Sequence, residues 1–196
     1  MKRLFDIISS GCGLIVLSPI FIVIAIWVKL DSKGPVFYRQ IRVGKDNKDF
    51  RLFKFRSMKI GADRQGLITV GGRDPRVTRS GYYIRKYKLD ELPQLINVFI
   101  GDMSVVGPRP EVRKYVDLYT PEQMRVLSVR PGITDLASIR YRNENELLET
   151  VDEPETYYRE VIMQDKLKIN LEYVDNRSFW GDIKLIFATL YAIVAK

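Results

Sequence analysis

Residues Ile7 to Val28 read IISSGCGLIVLSPIFIVIAIWV, 22 positions without a formal charge. As one helix this run would extend about 33 Å, enough to cross the hydrocarbon core of a bilayer. Ser18-Pro19 at its middle argues against a straight span. Proline has no amide hydrogen and its ring collides with the carbonyl of the preceding turn, so a kink is expected near Ser18. The Ser18 hydroxyl is suited to bond a carbonyl one turn back, satisfying a group freed by the bend. Lys2 and Arg3 precede the run while Lys29 and Lys33 follow it, so both flanks carry the cationic mark of the cytoplasmic side. A re-entrant helix-break-helix over residues 1–33, entering and leaving one leaflet, reconciles the kink with the charge. A kinked spanning helix, a cleaved signal peptide and a buried core helix are the alternatives. Lys29 and the lack of a small-residue cleavage site weigh against the signal peptide.

Residues 34–196 are long enough for one further globular unit. Asp31-Ser32-Lys33-Gly34-Pro35 forms a turn-rich exit from the apolar run. Segments 36–40 and 50–55 read as short strands, joined through 44–48 with hairpin chemistry. Alternation in the second strand puts Phe53 and Phe55 on one face and Lys54 and Arg56 on the other, a basic edge. Residues 61–79, including Gly71-Gly72-Arg73-Asp74-Pro75, read as a polar loop. A helix is predicted from Ser80, carrying Ile84 and Tyr87 inward. A second is predicted from near Asp90, with Pro93 in its first turn, Leu92, Leu95, Ile96 and Phe99 at helical spacing, and Gly101 at its end. Thr120-Pro121-Glu122-Gln123 has the form of a capping box opening another helix. Residues 143–175 show charged helical periodicity, and 183–195 form a last apolar helix, lying at an interface or packed on the core. The expected architecture is α+β and mainly helical. It joins the re-entrant hairpin to a domain with a small β-hairpin and amphipathic interfacial helices.

The formal charge of +8, from 32 basic and 24 acidic residues, favours an anionic partner: nucleic acid, a phospholipid surface or a phosphorylated substrate. No zinc-finger, helix-turn-helix or RNA-binding aromatic signature is present, so nucleic acid is not expected. The absence of histidine excludes a Ser-His-Asp triad, a Cys-His pair and histidine-ligated zinc. Cys12, the only cysteine, excludes an internal disulfide and a multi-cysteine metal site. Any acid, base or nucleophile must come from Asp, Glu, Lys, Tyr, Ser or Thr.

Asp90 and Glu91 stand at a predicted helix start, where unpaired backbone amides favour negative charge. On spacing alone they read as first-turn acids as readily as catalytic carboxylates. The basic residues Lys54, Arg56, Arg85, Lys88, Arg109 and Arg130 all fall near turns or element ends. Such a set suits a diphosphate, with arginine supplying planar bidentate hydrogen bonds and a carboxylate pair supplying a site for magnesium. A nonenzymatic membrane anchor with a basic face is the competing reading.

The string Lys88-Leu89-Asp90-Glu91-Leu92-Pro93-Gln94-Leu95, then Asn97-Val98, then residues 101–110 (GDMSVVGPRP), resembles the small monotopic phosphoglycosyl transferases. The resemblance extends to Lys2-Arg3 with Phe5-Asp6, Ser18-Pro19, residues 53–58 (FKFRSM) and 129–134 (VRPGIT), with a weaker match at Tyr173-Val174 and Asp182-Ile183-Lys184. It implies transfer of a sugar-1-phosphate from a UDP-sugar to a polyprenol phosphate, usually undecaprenyl phosphate, at the cytoplasmic membrane face of a bacterium, with release of UMP. By the same resemblance Asp90 matches the nucleophile that forms a covalent phosphosugar-enzyme intermediate. Glu91 matches its partner, organising Mg2+ with Asp90 or assisting the incoming phosphate. Arg109, in Pro-Arg-Pro, is the leading phosphate ligand; Lys54, Arg56 and Arg85 rank behind it, with Arg130 and Arg142 completing the candidates. Ser18 and Pro19 break the membrane hairpin and set the catalytic height. After Thr134 this chain has Asp135-Leu136-Ala137-Ser138-Ile139, where many relatives continue with a Gly-Trp-Ala-Gln type of sequence. Asn170 stands where an aspartate is usual.

Overall fold

The computed structural model of the chain describes residues 1–66, 69 and 74–194, without the side chains of 64, 65, 193 and 194. The polar-loop residues Gly71, Gly72 and Arg73 and the end of the last predicted helix, Ala195, lie outside the described residues.

Helices α1 (Lys2–Val16) and α2 (Ser18–Asp31) meet at Leu17 with a bend of 61°. Pro19 lies in the first turn of α2, where an ordinary residue would donate its amide to the Ile15 carbonyl. Ser18 Oγ donates to that carbonyl instead, at 2.8 Å. The kink and its hydroxyl repair therefore occur as the sequence predicts. No single described helix is long and apolar enough to cross a membrane, whereas the bent pair meets that test together. Ile15, Val16, Ile22, Val23, Ile26 and Leu30 are exposed along it.

The pair is also tied to the rest of the chain. The buried Asp6 carboxylate accepts from Ser104 Oγ and from the Val105 amide, each at 3.0 Å. Arg3 donates to the carbonyls of Val98 (2.5 Å) and Phe99 (2.9 Å). Lys2 donates to the Val106 carbonyl at 2.9 Å and to Tyr173 Oη at 3.0 Å, and pairs with Asp182.

Strands β1 (Phe37–Val43) and β2 (Asp49–Phe55) form an antiparallel hairpin, with Phe37 opposite Phe55 and Val43 opposite Asp49. Asp46 and Asn47 take φ of 57° and 58° in the turn, a left-handed conformation that short polar side chains tolerate. Both faces are used: Leu52 packs with Val98 and Met103, while Phe55 packs with Ile24, Val28 and Ile84. Phe53 and Phe55 share a face, as the alternation predicts, and both meet the Phe37 ring. The basic edge does not form as expected. β2 stops at Phe55, so alternation no longer governs Arg56, which turns into the α2–β1 connection and is only 4% exposed.

Helix α3 (Arg79–Lys86) is capped by Thr78, whose Oγ1 accepts the Gly81 amide at 3.0 Å. Ile84 is buried as predicted, but the helix ends before Tyr87, which is 57% exposed rather than turned inward. Helix α4 (Gln94–Ile100) begins later than expected: Leu89–Glu91 is a separate 3-10 turn, and Pro93 is the N-cap. Proline has no amide to continue an α-helix from that turn, and its ring disfavours one. Gly101 ends α4 at φ 104°.

Strand β3 (Ser104–Val106) runs parallel to β4 (Gly132–Thr134), a pairing across a long loop that local periodicity does not reveal. Gly107 and Gly132 meet there so closely that a Cβ on Gly132 would lie 2.1 Å from the Gly107 nitrogen. Between them come α5 (Arg113–Val116) and a 3-10 segment at Gln123–Ser128. The capping-box bonds are present, Gln123 N to Thr120 Oγ1 (3.3 Å) and Thr120 N to Gln123 Oε1 (2.9 Å), yet the helix they open is 3-10 rather than α.

The rest of the chain is helical: α6 (Leu136–Arg140), α7 (Glu144–Glu149), α8 (Pro154–Tyr157), a π turn (Tyr158–Ile162), α9 (Met163–Asn176) and α10 (Phe179–Val194). Leu148, Tyr158, Ile162, Met163 and Leu167 pack with Val112, Tyr115 and Val126 in the largest apolar cluster. One side of α10 packs inward, Thr189 bonding Thr134 and the Ala192 carbonyl accepting from Arg142 at 2.7 Å. Its other side exposes Trp180, Phe187, Leu190 and Tyr191.

Candidate active site

The tight turn that carries Asp90 and Glu91 is built by Lys88, whose φ of 56° reverses the chain at the end of α3. A left-handed lysine costs on the order of 1–2 kcal/mol. Leu89 and Leu92, packed on the Ile24–Val28–Phe55–Ile84 cluster, hold the turn against the hairpin. Lys54 reaches it from β2 and Arg109 from the loop after β3.

Glu91 is locked. Lys54 Nζ lies 3.2 Å from its Oε1, and Arg109 grips both oxygens as a fork, Nη1 to Oε2 at 3.1 Å and Nη2 to Oε1. Burial alone would raise this carboxyl, but Arg109, Lys54, the Arg109 hydrogen bond and Lys88 together hold it well below the usual carboxylate range. Glu91 in turn raises the Arg109 guanidinium pKa, against the effect of burial. Lys54 shifts down, because burial and Arg109 outweigh the pull of Glu91 and Asp90.

Asp90 differs. It is 6% exposed, and among the described residues its carboxylate takes part in no hydrogen bond or salt bridge. Burial and the neighbouring Glu91 raise its pKa, while Lys54, Arg85 and Lys88 act in the opposite sense. Two adjacent carboxylates are thus driven apart: one is a fixed anion held by two cations, the other a less stabilised anion with its oxygens uncommitted. Such separation marks groups with different chemical tasks.

The structure gathers Asp90, Glu91, Lys54 and Arg109, with Arg85 and Lys88 close enough to act on Asp90 through charge. Arg56 is held elsewhere, donating to Pro35 O (2.6 Å), Ser32 Oγ (2.5 Å) and Ser32 O (2.8 Å) at the end of α2. Arg130 Nε donates to Gly101 O at 2.8 Å, closing the end of α4, and Arg142 bonds α10. Ser18 and Pro19 occupy the helix break.

Magnesium takes one or two carboxylates and completes its shell with water and phosphate oxygens. Asp90 offers an uncommitted carboxylate for such an ion and Glu91 one whose oxygens already carry Arg109 and Lys54, and no group of three or more His, Cys, Asp or Glu converges among the described residues. The donor set fits an ion shared with phosphate rather than one caged by protein.

Three residues to which the sequence assigned no role at the site hold the Arg109 loop. Arg42 Nη1 donates to Pro110 O and to Glu111 Oε1, each at 3.0 Å. Glu111 also accepts the Val112 amide at 2.7 Å and the Tyr158 hydroxyl. Asp135, 2% exposed, accepts the Arg109 amide at 2.7 Å and caps α6. An Asp before a short helical run is a legible cap signal. The bond to residue 109 is not legible in it.

A family model described as bacterial sugar transferase matches residues 1–196. The UDP-glucose:undecaprenyl-phosphate glucose-1-phosphate transferase of Klebsiella pneumoniae is 42% identical over 194 residues, 97% of this chain and 39% of the relative. A UDP-N-acetylgalactosamine-undecaprenyl-phosphate N-acetylgalactosaminephosphotransferase of Aeromonas hydrophila is 38% identical, over 99% of this chain and 44% of its own length. The exopolysaccharide production protein PSS of Rhizobium leguminosarum bv. phaseoli is 40% identical, over 97% of this chain and 93% of the relative. The chain thus spans less than half of the first two relatives and nearly all of the third. With the whole-length match and the site in agreement, the chain belongs to the bacterial sugar transferase family.

Proposed function

We propose that this protein transfers a sugar-1-phosphate from a UDP-sugar to undecaprenyl phosphate, releasing UMP, as a membrane step in bacterial polysaccharide biosynthesis. The observation that carries this reading is the pair at 90–91: Glu91 clamped by Lys54 and Arg109, and Asp90 buried beside it with its carboxylate uncommitted. The activities for which the Klebsiella and Aeromonas relatives are named support the substrate classes.

In the first step an Asp90 oxygen attacks the phosphorus that bears the sugar. The bond from that phosphorus to the UMP oxygen breaks, and UMP leaves with the electron pair. In the second, an oxygen of the lipid phosphate attacks the same phosphorus, and the bond to Asp90 breaks to regenerate the carboxylate. Splitting one transfer in two is covalent catalysis. Lys54 and Arg109, ordered by Glu91, present their remaining N–H donors to phosphate oxygens that gain charge. Arg85 and Lys88 help keep Asp90 ionised despite its burial. Magnesium held by Asp90 and Glu91 would add neutralisation of phosphate charge.

The bent α1–α2 pair, apolar outside and anchored inside by Asp6, Arg3 and Lys2, supports re-entrant insertion from the cytoplasmic face of the inner membrane. The exposed aromatic side of α10 supports a second contact at the interface. This arrangement keeps a polyprenol tail in lipid while its phosphate meets Asp90. Labelled UDP-sugars offered with magnesium and undecaprenyl phosphate test the reading. Labelled lipid and UMP are expected for at least one sugar, and membrane binding with no turnover of any would favour a nonenzymatic anchor.

A further inference from the structure

The tripeptide Pro108-Arg109-Pro110 contains one backbone donor, because proline has no amide hydrogen. That donor, the Arg109 N–H, is taken by Asp135 Oδ2 at 2.7 Å. The other Asp135 oxygen accepts the Ser138 amide and caps α6. Asp135 is 2% exposed, so the first bond is made by a buried anion and is stronger than a neutral one. Among the described residues the tripeptide's other backbone bonds run through its carbonyls: Pro108 O accepts Gly132 N at 3.0 Å and Pro110 O accepts Arg42 Nη1 at 3.0 Å. Pro108 O and the Arg109 N–H belong to one planar peptide unit, which the Gly132 bond alone leaves free to swing about its oxygen end. The Asp135 bond pins the nitrogen end, beside the Arg109 Cα, and so fixes the origin of the guanidinium fork on Glu91.

We infer that Asp135 is a positioning residue for Arg109, setting the orientation from which that guanidinium meets Glu91 and the substrate phosphate. This rests on the reading of Arg109 as a phosphate ligand. Capping alone requires a single acceptor oxygen. The second oxygen, aimed at the loop, is what the inference explains.

A double-mutant cycle on the whole chain in detergent or lipid nanodiscs tests it, reading kcat/KM from UMP release together with the thermal melting point. Asp135→Asn retains a helix-capping oxygen but sets an amide NH2 against an N–H donor. Asp135→Ser keeps a cap and is too short to reach the loop. Each is expected to lower kcat/KM about 10- to 100-fold, the scale of a misplaced catalytic contact. In an Arg109→Ala background the same changes should cost less than about threefold, since no guanidinium remains to misplace. Equal losses in both backgrounds would overturn the inference while leaving Arg109 a phosphate ligand. Wild-type kcat/KM in either folded Asp135 variant would do the same. Wild-type kcat/KM in Arg109→Ala would remove the phosphate-ligand reading, and this inference with it.

Discussion

Replacing Arg56 by methionine separates a structural arginine from a substrate ligand. In the structure its guanidinium donates to Pro35 O at 2.6 Å, Ser32 Oγ at 2.5 Å and Ser32 O at 2.8 Å, and it is almost wholly buried. Methionine fills much of the volume and donates nothing. A hydrogen bond from a charged donor contributes about 1.5–3 kcal/mol net. The low end applies here, because water reaches part of the vacated site and the acceptors are neutral. The three shortest bonds put the loss at about 4.5 kcal/mol. For a chain of this size each kcal/mol lowers the melting point by about 2–4 °C, so a fall of about 9–18 °C is expected. Intrinsic tryptophan fluorescence during heating, in a fixed detergent, reads the fall. Below its own transition the variant should still release UMP from a UDP-sugar at a rate within a few-fold of the parent. An unchanged melting point with abolished turnover would refute this reasoning and return Arg56 to the phosphate site.

Three further outcomes follow from the geometry. Lys54→Met removes a cation that favours ionised Asp90, so the acid limb of the pH–rate profile for UMP release should move to higher pH; an unmoved limb would detach Asp90 from the rate. Gly132→Ala forces a Cβ to 2.1 Å from the Gly107 nitrogen and should cost at least about 1–3 kcal/mol in chemical denaturation. Ser18→Ala leaves the Ile15 carbonyl without its hydroxyl donor beside Pro19 and should cost about 1 kcal/mol, read as a lower melting point in lipid nanodiscs.

Local chemistry made some features legible. Pro19 announced the break in the apolar run, Gly44 to Lys48 announced the hairpin, and Gly101 announced the end of α4, since each acts within a few residues. Pro93 has the signature of a first-turn helical residue, yet its missing amide lets the chain hold a 3-10 turn at Asp90 before α4 begins. At the site, Lys54 and Arg109, two of the expected phosphate ligands, lie against the Glu91 carboxylate. Arg56 and Arg130 bond backbone carbonyls elsewhere, because a cation near a turn looks the same whether it meets phosphate or caps carbonyls from its own chain. The roles of Arg42, Glu111 and Asp135 are not legible because they depend on contacts 26 or more residues away, which periodicity does not encode.

The claim that Asp90 is a nucleophile has a direct measurement. Purified protein is mixed with a UDP-sugar it accepts and magnesium, without lipid acceptor, and its intact mass and peptide masses are determined. UMP release up to one equivalent and a mass increase of one phosphosugar on the peptide containing Asp90 are expected, both abolished in Asp90→Asn. No UMP and no adduct until undecaprenyl phosphate is added, or wild-type turnover in Asp90→Asn, would contradict it.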